Sequence, residues 1–205
     1  MPQRWLVLGA GGHGRSVADA IAASGDHVVG FLDDALPAGT LVNETSVLGG
    51  LSLAWDLNRL FDASDEAPAD QVVVAIGNPA LRQTWQQVLE QAAAPLAVVL
   101  HPRASVSVTA QLGPGSVVLA GAVVNANASL HQGVLVNSGA VVDHDAICGA
   151  YSQLGVNAAM AGGSRLGPLA CLAPGEVLNC RQTRFAEIEL LPGASDPGEG
   201  LTLKP

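Results

Sequence analysis

The chain has 205 residues, of which 49% are hydrophobic and only 13% charged, with a formal net charge of −9 and a single lysine, Lys204. That length suits one large domain or two small ones, each with its own core. The acidic balance disfavours phosphate backbones and anionic lipid, so neither a nucleic acid nor a membrane is an expected partner.

With 24 Gly and 12 Pro against 3% aromatic residues, turns and small-residue packing should dominate over a ring-built core. Cys148, Cys171 and Cys180 are odd in number and lack metal-ligand spacing, so reduced thiols are expected, without a disulfide or a metal. The first residues run straight into a strand-like segment with no basic-then-apolar leader. No apolar run reaches the ~18 residues of a membrane span, and a cytoplasmic location is the expectation.

Over the first hundred residues strand-like and helix-like segments alternate. "RWLVLGA" is a strand ending in glycines, and "GRSVADAIAASG" is a helix closed by Gly25. "HVVGFLDD" and "QVVVAIG" are further strands, "PALRQTWQQVLEQAAA" a helix opening on proline, and "LAVVLHP" the last strand. This order predicts a parallel sheet covered by helices, a Rossmann-like domain over residues 1–100. Within residues 35–70, "LSLAWDLNRLF" has helical spacing and "DASDEAPAD" the composition of an exposed loop. Gly9-Ala10-Gly11-Gly12-His13-Gly14 follows a strand and opens a helix, where free N–H groups suit a phosphate. Asp33 or Asp34 stands where a dinucleotide fingerprint needs an acid, although the sheet is short for a two-nucleotide fold. His13 is either a ligand contact or a helix-entry residue; His27 and His101 are expected to be structural, and His131 has no assigned role.

From Ala104 the rules change. Cut in sixes, the chain runs ASVSVT, AQLGPG, SVVLAG and onward to EVLNCR without a gap. The third place is Val or Leu in eleven of thirteen blocks, and the first place Ala or Ser in eleven of thirteen. A period of six held over 78 residues predicts a parallel β-helix, three blocks to a turn, over residues 101–205 with an irregular tail. Third-place aliphatics point into the prism and stack on the residue eighteen later; first-place residues are small because they enter tight corners.

This register places "AVVDHDAICG". His144 is in a fifth place, at a prism corner, with Ala126 one coil below and Gly162 one coil above. Small neighbours leave room around the ring, as a substrate cleft would. Asp145 beside it favours and orients an imidazolium, which suits a general base. The other reading is a surface histidine solvated between two aspartates. Asp143 is a turn residue or an acceptor contact, and Cys148 fills a core slot, a packing residue rather than a nucleophile.

"VNSGAVVDHDAICGAYSQLG", together with "LGAGGHGRSVADAI", "GFLDD", "VAIGNPALRQ" and the whole repeat, resembles the NeuD-type sialic-acid O-acetyltransferase family of hexapeptide-repeat acyltransferases. In character it is closest to the PglD-like N-acetyltransferases of nucleotide-linked amino sugars, and the match spans residues 4–181. The resemblance implies a left-handed prism, a homotrimer, and acetyl-CoA as co-substrate held between adjacent prisms, with no metal. It implies His144 as the base and Asp145 as its support, with Asn137 at a position often occupied by Asn. In the first domain it places Gly11, Gly12 and His13 at a phosphate, Asp33 and Asp34 at base and ribose, and Gly77 and Arg82 in a loop closing on the nucleotide. Gly162 and Pro174 match positions along the pantetheine arm. One departure is Gln153, where many relatives carry a second histidine at the thioester end of acetyl-CoA; an amide donates a hydrogen bond but carries no charge. Another is the tail after Arg181, which lacks the family's "GxPA" segment. Arg165, Arg181 and Arg184 either meet the coenzyme's phosphates or offset an acidic protein.

The expected activity is acetyl-CoA-dependent N-acetylation of the amino group of a UDP- or GDP-linked 4-amino-deoxy sugar in bacterial glycan biosynthesis. The alternatives are O-acetylation of a sialic-acid-type sugar and a nucleotide-sugar-binding trimer without catalysis.

Overall fold

A computed structural model describes residues 1–55 and 69–186. Of the helix expected at "LSLAWDLNRLF", the described part, Leu51–Trp55, forms a short 3-10 helix; the remainder, the loop before Ala69 and the tail from 187 lie outside the described residues.

The N-terminal sheet contains β1 (Arg4–Leu8), β2 (His27–Leu32), β3 (Leu41–Val42), β4 (Thr45–Gly49) and β5 (Gln71–Val74), in the order β3-β4-β2-β1-β5. All pairings are parallel except the β3–β4 hairpin. Its two-residue turn is Asn43-Glu44, with φ of +47° and +65°, the pair of left-handed residues that a type I′ turn requires. Helix α1 (Gly12–Ala23) follows β1, and α2 (Pro79–Gln91) follows β5. Pro79 occupies the first turn of α2, and the Asn78 side chain caps it by accepting from the Leu81 N–H at 3.0 Å.

Because strand side chains alternate, β1 feeds two cores. Trp5 and Val7 pack with Val17, Ile21 and Phe31 on one side, and Leu6 and Leu8 with Leu32, Val74 and Leu89 on the other. Buried on both faces from Trp5 to Leu8, β1 is apolar over that stretch.

Fifteen two-residue strands, from β6 (Val99–Leu100) to β20 (Thr183–Arg184), form three five-stranded parallel sheets. The central strands of the three faces are β12 (Leu135–Val136), β13 (Val141–Val142) and β14 (Ile147–Cys148). Each strand pairs with the one eighteen residues on, as Val123 with Val141 and Val141 with Ala159. Third-place residues from Val118 to Leu172 are at most 2% exposed; each such buried aliphatic stabilises the fold by about 1.5–3 kcal/mol. First-place Ala and Ser from Ser116 to Ala170 are likewise buried. The sixth place has a rule of its own. From Gly115 to Arg181 all twelve sixth-place residues have φ between +56° and +72°, six of them not glycine.

The repeat is two strands longer than the pattern of aliphatics suggests. "LAVVLHP" is not a strand of the first sheet: Leu96 makes a single bridge to Val72, whereas Val99–Leu100 pairs with Val117–Val118 of the prism. At the other end, Thr183–Arg184 adds a strand in which Arg184 lies over Leu166 in the axial place. Its guanidinium pairs with Glu176, whose second carboxylate oxygen accepts the Ala173 N–H at 2.8 Å. Among the described residues this is the last strand of the prism, and it sets a polar residue in the axial stack. Arg184 therefore serves the prism rather than standing free for a phosphate.

The two domains share a core. Val99, Val117 and Leu135 project outward from the β12 face into the same cluster as Trp5 and Val7. A buried guanidinium fastens the seam. Arg82, 1% exposed, donates to the carbonyls of Ile76 (2.7 Å), Gly133 (2.9 Å) and Tyr151 (2.8 Å), and at 3.3 Å to Gln153 Oε1. This corrects the expectation that Arg82 meets the nucleotide: its donors are spent on carbonyls of both domains, with no carboxylate among them. Burial lowers its pKa to about 10, still well above neutrality, so it stays charged. Arg82→Met should cost roughly 2–4 kcal/mol, because it leaves buried carbonyls unpaired; the urea midpoint should fall with an unchanged slope.

Candidate active site

The corner between the β13 and β14 faces carries the residues with the strongest chemistry. In successive coils it reads Asn125-Ala126-Asn127, Asp143-His144-Asp145 and Ala161-Gly162-Gly163. The chain must turn here, so fifth-place side chains point outward, and the His144 side chain is 61% exposed. Asp145 occupies the sixth place with φ +59°, a conformation that Asp tolerates better than most residues.

His144 Nδ1 lies 2.8 Å from Asp145 Oδ2, which orients the ring and leaves Nε2 without a hydrogen bond among the described residues, 3.9 Å from Asp143 Oδ2. Both aspartates rest on asparagines one coil below: Asn125 Nδ2 donates to Asp143 Oδ1 at 2.9 Å, and Asn127 Nδ2 to Asp145 Oδ1 at 3.3 Å. The hydrogen bond from Asp145, then the charge of Asp143, raises the His144 pKa above its ordinary 6.5. Both carboxyls are held below the usual range, Asp143 first by the His144 backbone N–H and Asp145 first by the His144 ring. The result is an oriented, strengthened base between two ionised carboxylates. Gly162 makes room for it: a Cβ there would stand 2.6 Å from Nε2.

Other residues singled out in the sequence fall elsewhere on the prism. Arg165 is exposed and projects from the β14 face, one coil above Ile147. Asn137 and Pro174 lie at the corner between the β12 and β13 faces, where Asn137 Oδ1 accepts the Ser138 N–H at 2.8 Å. Gln153 is on the β12 face, beside Arg82 and hydrogen-bonded with Cys171. One chain thus brings together His144, Asp145 and Gly162, with Arg165 on the flanking face, and does not bring Asn137, Gln153 or Pro174 to them. Cys148 is fully buried against Met160 Sδ at 3.4 Å, and burial pushes its thiol up to about 12.

In the first domain the glycine loop is open. A side chain at Gly11 or Gly77 would meet nothing within 4 Å, and at Gly12 only Arg15 Nη2. Helix α1 begins at this loop with no side-chain cap and no acid in its first turn, so its N–H groups face outward unneutralised. His13 is held neutral, its pKa lowered to about 4 by burial and then by the Arg82 charge, and its buried Nε2 has no partner among the described residues. Asp33 is a brace: Oδ2 accepts the Ala10 N–H at 2.7 Å and Oδ1 the Ala35 N–H at 2.8 Å. Asp34 is exposed and commits one oxygen, to the Leu51 N–H at 2.7 Å. Among the described residues no group of three His, Cys, Asp or Glu is placed to hold a metal, and no helix is long and apolar enough to cross a membrane.

Sequence reasoning did not find Asn127 beneath Asp145, nor the left-handed sixth place. The sixth-place run of Gly, Asn and Asp carried that signal.

Residues 4–89 match the PglD N-terminal domain family. Among solved structures, the acetyltransferase domain of PglB from Neisseria gonorrhoeae, in complex with acetyl coenzyme A, is 32% identical over 89% of this chain and 94% of its own, with a TM-score of 0.74. A mutant of perosamine N-acetyltransferase from Caulobacter crescentus, in complex with CoA and GDP-perosamine, is 30% identical over 89% of this chain and 85% of its own, with a TM-score of 0.75. WeeI from Acinetobacter baumannii, at 18% identity, 90% and 94% coverage and a TM-score of 0.62, shares the fold. Among curated proteins none matches the chain. With a shared sheet-plus-prism fold and near-complete coverage at this identity, the chain belongs to the PglD- and NeuD-like family of hexapeptide-repeat sugar acetyltransferases, built on a left-handed β-helix.

Proposed function

We propose that the protein transfers the acetyl group of acetyl-CoA to the amine of a UDP- or GDP-linked 4-amino-deoxy sugar, in the cytoplasm, with His144 as the general base. The observation that carries this reading is the exposed His144 ring, fixed through Nδ1 by Asp145 at 2.8 Å with Nε2 left unbonded among the described residues. An amine attacking a thioester must lose a proton, and Nε2 is placed to take it; a positioned base contributes roughly 10²–10⁴ in rate. No acyl-enzyme is required, in keeping with a thiol at Cys148 that is buried and protonated. The relatives solved with acetyl coenzyme A and with GDP-perosamine support the choice of donor and acceptor class.

The open loop at Gly11, Gly12 and Gly77, the uncapped start of α1 and the partnerless His13 Nε2 support a nucleotide diphosphate there. Asp34, with an oxygen to spare, is better suited to the nucleoside than Asp33. Two features favour a homotrimer. The glycine loop and Gln153 lie by the β12 face, whereas His144 lies at the corner between the other two faces, so a neighbouring prism is needed to bring base, donor end and nucleotide loop to one place. The β13 face also turns Val123, Val141, Ala159 and the 57% exposed Val177 outward, an apolar strip suited to a second copy. Arg165, exposed beside the corner, suits a coenzyme phosphate.

The test is free-thiol release from acetyl-CoA across UDP-, GDP- and dTDP-linked 4-amino sugars, their hydroxy counterparts and sialic acid. One amino sugar should turn over, and His144→Ala should lose about 10²–10⁴ in kcat/KM while the melting temperature holds. Turnover confined to hydroxy acceptors would move the assignment to O-acetylation. Since His144 must be neutral to accept a proton and its pKa is raised, activity should fall on acidification with a midpoint above 6.5; in Asp145→Asn that midpoint should move down. Gly162→Ala pushes a methyl toward Nε2 and should lower kcat roughly 10²-fold with little change in melting temperature, because the displaced group is the free end of an exposed side chain.

A further inference from the structure

We propose that Asp143 is the residue that selects an amine over a hydroxyl, by accepting an N–H of the acceptor beside the unbonded Nε2 of His144. This deepens the N-acetyltransferase reading and rests on it. The two carboxylates flanking the ring are not equivalent. Asp145 takes Nδ1, whereas Asp143 Oδ2 stands 3.9 Å from Nε2, too far for a bond between them. Asp143 is also anchored: Asn125 Nδ2 holds Oδ1 at 2.9 Å, and the backbone N–H groups of His144 and Gly162 help keep the carboxyl ionised. A fixed anionic acceptor and a fixed base nitrogen therefore face one small gap, which a single atom about 2.9 Å from each would bridge.

The number of protons on that atom decides what fits. A neutral amine carries two N–H bonds and one lone pair. One N–H goes to Asp143 Oδ2, the other to His144 Nε2, and the lone pair is left for the carbonyl carbon. A hydroxyl has one O–H. Given to His144, it leaves Asp143 facing oxygen lone pairs; given to Asp143, it leaves the base without a proton to take.

The balance is complete without another reactant. The sugar ammonium first loses a proton to solvent. The nitrogen lone pair then forms the C–N bond, the carbonyl π pair moves to oxygen, and the remaining acidic N–H passes to His144 Nε2. The π pair returns as the C–S bond breaks toward sulfur, and His144 protonates the thiolate. Ammonium and thioester yield amide, thiol and one proton; an alcohol and thioester would yield ester and thiol, with no net proton.

The experiment compares kcat/KM for the fastest amino sugar of the nucleotide-linked panel and for its hydroxy counterpart, in the wild-type protein, Asp143→Asn and Asp143→Glu. In Asp143→Asn the ratio of amine to hydroxyl should fall roughly 10- to 100-fold, mainly through a higher KM for the amine, with the KM for acetyl-CoA unchanged. Asp143→Glu should restore part of it. Should Asp143→Asn melt below the assay temperature, Asn125→Val, which releases the carboxylate from its anchor, should lower the same ratio. An unchanged ratio, or equal loss with both acceptors, would overturn the proposal and leave Asp143 a brace of the corner. A wild-type protein that uses no amine would overturn the N-acetyltransferase reading and this proposal with it.

Discussion

The prism depends on one backbone constraint, that from the second six-residue block to the thirteenth the last residue turns through the left-handed region. Strands of two residues cannot bend, so three corners per coil must supply the whole rotation, and a single left-handed residue at each does so without lengthening the coil. Twelve consecutive sixth places obey this, from Gly115 to Arg181. Left-handed geometry costs an ordinary L-residue about 1 kcal/mol or more and costs glycine almost nothing. Yet Tyr151, Leu169 and Arg181 accept it too, held there by the ladder of parallel strands they connect.

The site uses this constraint. Asp145 is the left-handed residue of its corner and also the partner of His144 Nδ1, so the turn and the orientation of the base are one feature. A corner also has no strand neighbour competing for its side chains, which is why three polar groups can sit together in a chain with so little charge. Stacking supplies the rest, because a rung below Asp143 and Asp145 there are amides rather than further carboxylates, and these hold the aspartates without repelling them. A ladder of acids would have driven at least one of them to take up a proton.

How far the sequence could be read follows from what was periodic. Strand register, the axial aliphatics and the corner position of His144 all follow from the period of six, since an error of one residue would have turned every Val and Leu outward. The two terminal strands escaped because their blocks depart from the pattern: Val98 and Gln182 stand in first places where Ala or Ser recurs, and Arg184 is charged in a third place. The β3–β4 hairpin was hidden by Asn43-Glu44, which lacks the glycine that usually marks such a turn. The structural roles of Arg82 and Asp33 were hidden for a different reason. An arginine or aspartate next to a glycine-rich loop has the same letters whether it faces a ligand or the loop's own backbone, and only coordinates show that its hydrogen bonds are already taken.

The charged plug at Arg184 bears on how such a prism acquires its length. Every coil below it is interchangeable in cross-section, since each offers the same small first place and aliphatic third place to its neighbours. Copying eighteen residues in the middle of the stack would raise the plug by one storey without disturbing its pairing with Glu176 one block earlier. The height of the molecule can therefore change by gene duplication inside the stack, and the corner that carries His144 keeps its local chemistry whichever storey it occupies.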